Sequence, residues 1–123
     1  MGRREQAKGR KAEFELSERL SAYGYSVTPG AALSFGGVPD VTGLPGIHIE
    51  CKRAERLSMT AALQQADRDA QRFQDGLPAV FHRRNREEWR VTMRLSDWLT
   101  LYGASKLAGN RTEKGGGCLA RDG

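Results

Sequence analysis

The sequence predicts an α/β (α+β) fold with one mixed sheet of about five strands flanked by helices, and three observations predict it. Two segments, residues 8–23 and 59–76, have the composition and apolar spacing of helices. Five short runs rich in β-branched and apolar residues are separated by Gly, Pro and polar breaks. The resulting order is helix, three strands, helix, two strands, helix, which is typical of helices packed around a single sheet.

Length and charge narrow the class of protein. A chain of 123 residues forms one modest domain, and 20 Lys and Arg against 15 Asp and Glu give a net charge of +5. This excess suits an anionic partner, most simply a nucleic-acid backbone, although a basic surface without such a partner is the alternative. Cys51 and Cys118 are too far apart for a disulfide framework or zinc spacing, so we expect a reducing, intracellular setting. No signal-peptide core or membrane-length apolar run is present.

The first helix is predicted from Lys8 to Tyr23, after a basic arm at residues 1–7. Its apolar stripe consists of four residues, Ala12, Leu16, Leu20 and Tyr23. Gly24 is expected to end the helix, as a C-terminal glycine does. A short strand at 25–29 and a Gly-, Ala- and Ser-rich loop at 29–38 follow.

The remaining elements follow from turn and cap residues. Strands are predicted at 39–43 and 46–53, and Ser58 caps a helix that ends at Gly76. Two more strands are predicted at 77–83 and 88–95. A short helix with Ser96 as its N-cap follows at 96–102, and residues 103–123 are predicted to be a disordered Gly-rich tail. The folded domain is therefore expected over residues 8–102, with Trp89 and Trp98 as core residues.

The strand 46–53 carries an unusual set of charges. Alternation puts His48, Glu50 and Lys52 on one face, with Glu50 and Lys52 about 7 Å apart. If this strand pairs with the preceding one across a tight loop, Asp40 lies opposite residue 49 or 50, with the Cβ atoms about 5 Å apart. Two carboxylates at that distance raise each other's pKa unless a cation lies between them, and Mg²⁺ is the natural one.

A third acid comes from the first helix. Glu13 lies on the edge of the apolar stripe, where a carboxylate is costly unless something pairs with it. Packing of this helix on the sheet would deliver Glu13 to the same metal, directly or through water. The alternative is an ordinary exposed Glu50–Lys52 ion pair with Glu13 on the helix surface.

Three stretches together resemble the PD-(D/E)XK nuclease superfamily: "GRKAEFELSERLSAYGYSV", "GGVPDV" and "IHIECK". Within it the sequence is similar to archaeal-type Holliday junction resolvases and their small phage-borne relatives, over about residues 8–102. The resemblance implies a restriction-endonuclease-like core and a Mg²⁺-dependent, structure-selective DNA endonuclease. It also implies Mn²⁺ as a substitute, a homodimer with two sites, and a bacterial cytoplasm or phage-infected host cell as the location.

The resemblance also assigns residues. It implies Asp40 and Glu50 as metal ligands with the Cys51 backbone carbonyl, and Glu13 as completing or orienting the shell. Lys52 would hold and polarise the attacking water. The Cys51 side chain is better explained as a small apolar residue on the Ile face. Gln65 on the second helix is a further candidate, and a solvated helix face is its alternative.

Several polar side chains are candidates for contacts with the DNA backbone, without reading its sequence. Solvated helix, loop and turn positions are the alternatives. The candidates are Arg10, Lys11, Ser34, His48, Arg53, His82, Arg83, Arg84 and Arg86.

Two other functions stay open on the sequence. One is a restriction- or repair-type nuclease on the same core, which the lack of an appended recognition domain disfavours. The other is a non-catalytic DNA-binding module, which the complete set of Glu13, Asp40, Glu50 and Lys52 disfavours.

Overall fold

The computed structural model describes residues 3–33 and 37–109, with side chains from residue 9 onward. The chain forms two compact units, one ending at Met93 and the other beginning at Arg94. The first unit holds helices α1 (Arg3–Ala22) and α2 (Met59–Phe73) and a five-stranded sheet. The second holds α3 (Leu95–Ala104). The predicted order of helices and strands is confirmed, as is the mixed sheet.

The strands lie in the sheet in the order in which they occur in the chain. They are β1 (Thr28–Pro29), β2 (Val41–Thr42), β3 (Ile47–Arg53), β4 (Leu77–Arg83) and β5 (Arg90–Thr92). The central pair, β3 and β4, is parallel and is connected through α2, whereas all other neighbours are antiparallel. Because parallel strands end at the same edge, the basic residues that close β3 and β4 lie together.

Helix α1 packs on one face of the sheet. Leu16 is buried in a cluster with Ile49 of β3 and Phe81 of β4. The register pairs Cys51 with Phe81, and Cys51 lies two residues after Ile49, so Ile49 and Phe81 share a face. The predicted stripe is correct for Ala12, Leu16 and Leu20, but Tyr23 is 75% exposed, beyond the end of the helix.

The sequence predicted the end of α1 correctly but not its start. Gly24 follows the helix with φ +100°, a conformation that side chains disfavour. This agrees with the predicted helix end. The start was wrong: α1 begins at Arg3, so residues 3–7 extend the helix instead of forming a separate arm.

Helix α2 covers the opposite face. Ser58 caps it by accepting a hydrogen bond from the Ala61 N–H (3.2 Å), as predicted. The buried side of α2 consists of alanines, and two of them, Ala62 and Ala66, pack against Val80 of β4. The helix ends at Phe73, three residues before the predicted Gly76, because Gln74 already adopts a left-handed conformation.

Several boundaries were predicted too long. The strands predicted at 25–29, 39–43 and 88–95 shorten to β1, β2 and β5, and a 3₁₀ helix at Gly30–Ala32 lies in the predicted loop. Helix α3 begins at Leu95, so Ser96 is inside it and not its N-cap. It runs to Ala104, past the predicted start of the tail, of which residues 110–123 lie outside the described part of the chain.

The two tryptophans have different surroundings. Trp89 packs against the cluster on the α1 face, in agreement with a core role. Trp98 is 47% exposed and stacks on Tyr102 within α3, so its predicted core role is wrong within this unit. None of the described helices combines the length and apolar character needed to cross a bilayer.

Candidate functional site

Strand β3 sets the geometry of the site. Alternation along the strand puts Ile49 and Cys51 toward α1 and leaves His48, Glu50 and Lys52 on the face that α2 covers. Glu50 is 2% exposed, although a carboxylate at such a position is costly without a partner. His48 and Glu50 are therefore in the interior, whereas the Lys52 side chain is 30% exposed.

Asp40 joins Glu50 through strand pairing. Val41 pairs with Ile49, which puts Asp40 beside Glu50, in agreement with the predicted register. Asp40 Oδ2 accepts a hydrogen bond from the Cys51 backbone N–H at 2.8 Å. Burial and then the charge of Glu50 raise the pKa of Asp40 to about 7, although the Cys51 N–H opposes the shift.

Glu13 reaches the same place from α1. Its Oε1 accepts a hydrogen bond from the Ala31 backbone N–H at 2.9 Å, which fixes the side chain at the start of the 3₁₀ helix. Burial raises the pKa of Glu13, the hydrogen bonds from Ala31 and with Asp40 oppose this, and the charge of Glu50 adds to it. The three carboxylates therefore interact with one another.

Lys52 supplies positive charge beside these acids. Its Nζ lies 3.7 Å from Glu50 Oε2 and donates a hydrogen bond to Gln65 Oε1 at 3.0 Å. Gln65, on α2, therefore contacts the pocket, whereas its neighbour Gln64 is exposed. Glu13, Asp40, Glu50, Lys52 and Gln65 thus come together from α1, β3, α2 and the residue before β2.

The Cys51 side chain lies in the apolar cluster on the α1 face, as the alternation predicted. Burial and the surrounding carboxylates raise the pKa of its thiol, so it stays protonated and is not a nucleophile. Its carbonyl as a metal ligand stays a prediction.

His48 is not where a DNA contact requires it. The residue is 1% exposed, and its Nδ1 lies 2.9 and 3.0 Å from the two oxygens of Asp75. An imidazole buried in this way does not reach a phosphate, and its neighbours give it another role. The predicted position on the same face as Glu50 and Lys52 is confirmed, but its burial does not allow the predicted phosphate contact.

The other candidates for DNA contacts differ in their surroundings. Arg10, Lys11, Arg84 and Arg86 are exposed, as a phosphate contact requires. Lys11 and Arg53 line a cavity of about 210 Å³ with Asn85 of the β4–β5 turn. Ser34 lies outside the described residues.

The remaining two candidates are held by internal contacts. Arg83 forms an ion pair with Glu15 of α1, and Arg53 lies 3.5 Å from the same carboxylate. His82 Nε2 lies 2.8 Å from Thr92 Oγ1, and burial, with the charge of Arg90, lowers the pKa of His82. Arg83 and His82 therefore connect β4 to its neighbours more directly than they face solvent.

Sequence reasoning missed three acids. Glu15 ties α1 to the ends of β3 and β4, Asp75 holds His48, and Asp69 of α2 lies close to both His48 and Glu50. Asp69 follows Gln65 by four residues, so helical spacing already puts both on one face. Asp75 gave no comparable signal, since it lies between a helix and a strand.

No family model, curated protein or solved structure matches this chain.

Proposed function

We propose that this chain is a Mg²⁺-dependent DNA endonuclease with a PD-(D/E)XK core and a preference for branched DNA. The observation that carries the proposal is the convergence of Glu13, Asp40 and Glu50 beside Lys52. These carboxylates come from separate elements and interact with one another, and the pKa of Asp40 is raised to about 7. Such a cluster is stabilised by a cation, and its pattern is the one for which the sequence resembles Holliday junction resolvases.

The donor set fits magnesium. All three side chains offer carboxylate oxygens, and Mg²⁺ binds proteins through one or two carboxylates while keeping several waters. Asp40 and Glu50 would hold the ion, with Glu13 binding directly or through water. When bound, Mg²⁺ supplies charge neutralisation at the phosphate and a water of lowered pKa. Mn²⁺, which accepts the same oxygen ligands, is expected to substitute.

Lys52 and Gln65 contribute the protein's own part of the chemistry. The Lys52 ammonium is held between Glu50 Oε2 and Gln65 Oε1, so its position is fixed before substrate arrives. From there it can orient the attacking water and stabilise the negative charge that develops on the phosphate. Gln65 is a positioning residue, because it acts through Lys52.

DNA would bind along the basic edge next to this pocket. Arg10 and Lys11 of α1 are exposed, and Lys11 shares a cavity with Arg53, the residue after Lys52. These cations contact phosphates and therefore select for backbone geometry over base sequence. A branched junction also needs two incisions, so we expect a two-fold homodimer with one site in each copy.

The test compares a labelled four-way junction with a linear duplex of the same arm sequence, in Mg²⁺ and in chelator. We expect Mg²⁺-dependent cutting of the junction at least tenfold faster than cutting of the duplex. Asp40→Asn should abolish cutting and spare junction binding, because the position touches the metal and not the DNA backbone. Glu18→Gln, an exposed acid on α1, is the matched control and should cut normally.

The outcomes separate the alternatives. Equal cutting of both substrates would reject the branched-DNA preference and leave the nuclease. DNA binding without cutting by the unaltered chain would favour the non-catalytic module. Full activity in Asp40→Asn would show that the assigned pocket is not the active site.

A further inference from the structure

One ring nitrogen of His48 has a hydrogen-bond partner and the other has none among the described residues. Nδ1 lies 2.9 Å from Asp75 Oδ1, so this nitrogen carries a proton that it donates to the carboxylate. Nε2 is buried, and among the described residues it has no hydrogen-bond partner. It points toward Glu50, with 3.6 Å between Nε2 and Oε1.

This arrangement is the one that metal-binding histidines adopt. A ligating imidazole donates its other N–H to a carboxylate, which fixes the tautomer and the orientation of the ring. Here Asp75 accepts the hydrogen bond from His48 Nδ1. The Phe73 ring stacks on the His48 ring, with centroids 6.2 Å apart. The Nε2 lone pair is therefore directed at a carboxylate oxygen, a contact between two acceptors that only a proton or a cation makes favourable.

A third ligand lies on α2. One ligand atom from each of His48, Glu50 and Asp69 falls within 4.8 Å of the other two. Ligand atoms around a tetrahedral zinc ion lie about 3.4 Å apart, given bonds of about 2.1 Å. Asp69 is half-buried on α2, and closing the remaining difference requires its carboxylate to move toward His48 and Glu50.

We propose that His48 Nε2, Glu50 Oε1 and Asp69 form a second divalent-cation site, selective for Zn²⁺ over Mg²⁺. The nitrogen ligand sets the selectivity, because imidazole suits zinc, whereas magnesium prefers an all-oxygen shell. The site goes beyond the proposed nuclease function: His48 and Asp69 have no part in it, and only Glu50 is shared with the set Glu13, Asp40, Glu50 and Lys52.

Glu50 couples this site to the pocket that contains Lys52. Its Oε1 faces His48 and its Oε2 faces Lys52, at 3.6 and 3.7 Å. One carboxylate therefore bridges the two sites, and an ion bound by His48 fixes the orientation of Glu50 for its other partners.

The competing account is a structural ion pair in which His48 is an imidazolium between Asp75 and Glu50. Burial lowers the pKa of His48, but the neighbouring carboxylates of Glu50 and Asp75 raise it overall. In that account both ring nitrogens carry protons and Asp69 has no part in the interaction. The two accounts therefore predict different results for zinc.

The experiment is calorimetric titration of the chelator-treated full chain with ZnCl₂ and MgCl₂ separately. We expect zinc to bind at least tenfold more tightly than magnesium. Asp69→Asn and His48→Gln should each weaken zinc binding at least tenfold. Asp67→Asn, which removes a neighbouring carboxylate of the same helix, should leave zinc binding unchanged.

A second measurement does not depend on a variant of the buried histidine folding. The chain has two histidines, so Asp69→Asn and wild type can be compared by ¹⁵N imidazole NMR, with His82→Gln giving the assignment. Zinc should shift the His48 Nε2 resonance strongly in wild type and little in Asp69→Asn. Zinc binding that leaves His48 doubly protonated, or that survives both ligand substitutions, would overturn the proposal.

Discussion

At the scale of single residues, Asp40 has the environment with the clearest measurable consequence. In the metal-free protein its folded-state pKa is about 7 against a reference value of 3.8. The folded chain therefore retains a proton between these values that the unfolded chain has lost. By linkage, this carboxyl makes the free energy of unfolding fall as pH rises from about 4 to 7, with the full cost present above that range.

Asp40→Asn removes this titration. The variant amide can still accept the Cys51 N–H, so we expect it to melt higher than wild type at pH 8 in chelator. At pH 4 the two proteins should melt at nearly the same temperature. Thermal unfolding from pH 4 to 8 measures the difference, with Glu18→Gln as the control. A constant difference across that range would show that the Asp40 carboxyl does not titrate there.

Lys52 gives a prediction about rate. Lys52→Met should lower the cleavage rate about 10²–10³-fold, the range for removing one charge-stabilising donor. Magnesium binding should be kept or improved, because the substitution removes a cation from beside Glu50. Gln65→Ala should have a smaller effect, since it loosens the ammonium without removing it. Single-turnover cleavage and magnesium titration of the same preparations measure both effects. A loss of magnesium binding in Lys52→Met that parallels the loss of rate would contradict the proposed role of Lys52.

At the scale of elements, the junction of α2 and β4 depends on a close backbone approach. Gly76 has φ +135°, and a Cβ there would lie 2.3 Å from the Gly46 carbonyl carbon. Leu77 N–H donates to the Gly46 carbonyl oxygen at 2.9 Å, so the two strands begin in contact. This contact helps to hold β3 in register with β4, and hence Glu50 and Lys52 opposite α2.

Gly76→Ala should therefore destabilise the protein by about 1–3 kcal/mol from backbone strain alone. Gly9→Ala is the matched control: it lies within α1 with open space around it, so the variant should be more stable by about 1 kcal/mol. Urea unfolding of both variants gives the two values. Equal effects at the two positions would mean that the contact with Gly46 is not a constraint.

How much the sequence predicted differs from element to element for physical reasons. Period-two alternation placed Glu50 and Lys52 on one face, and the short loop between β2 and β3 limited the register enough to place Asp40. Helix ends were less accurate, because Gln74 adopts the left-handed conformation expected of a later glycine. The burial of His48 could not be predicted, since it depends on Asp75, which lies 27 residues away.

At the scale of the whole molecule, net charge and its placement set how the proposed DNA substrate would be held. The chain carries +5, and Glu15 pairs with Arg83 and lies close to Arg53. These contacts reduce the positive charge available to DNA at the ends of β3 and β4. On the proposed function, the exposed cations of α1 and of the β4–β5 turn would then supply most of the attraction to phosphate on this side of the first unit.

The same charge arrangement predicts how DNA affinity depends on salt. Each lost phosphate contact lowers the slope of log K against log salt by about 0.9 on duplex DNA. Arg84→Ala and Arg86→Ala should each weaken binding of junction and duplex alike and reduce the slope by about this amount. Glu15→Gln should act in the opposite direction, because it frees Arg53 and Arg83 for phosphate and so increases both affinity and slope. Fluorescence anisotropy over a range of KCl concentrations, in chelator to prevent cutting, measures both quantities. If Arg84→Ala and Arg86→Ala leave the slope unchanged, the DNA path does not cross the β4–β5 turn.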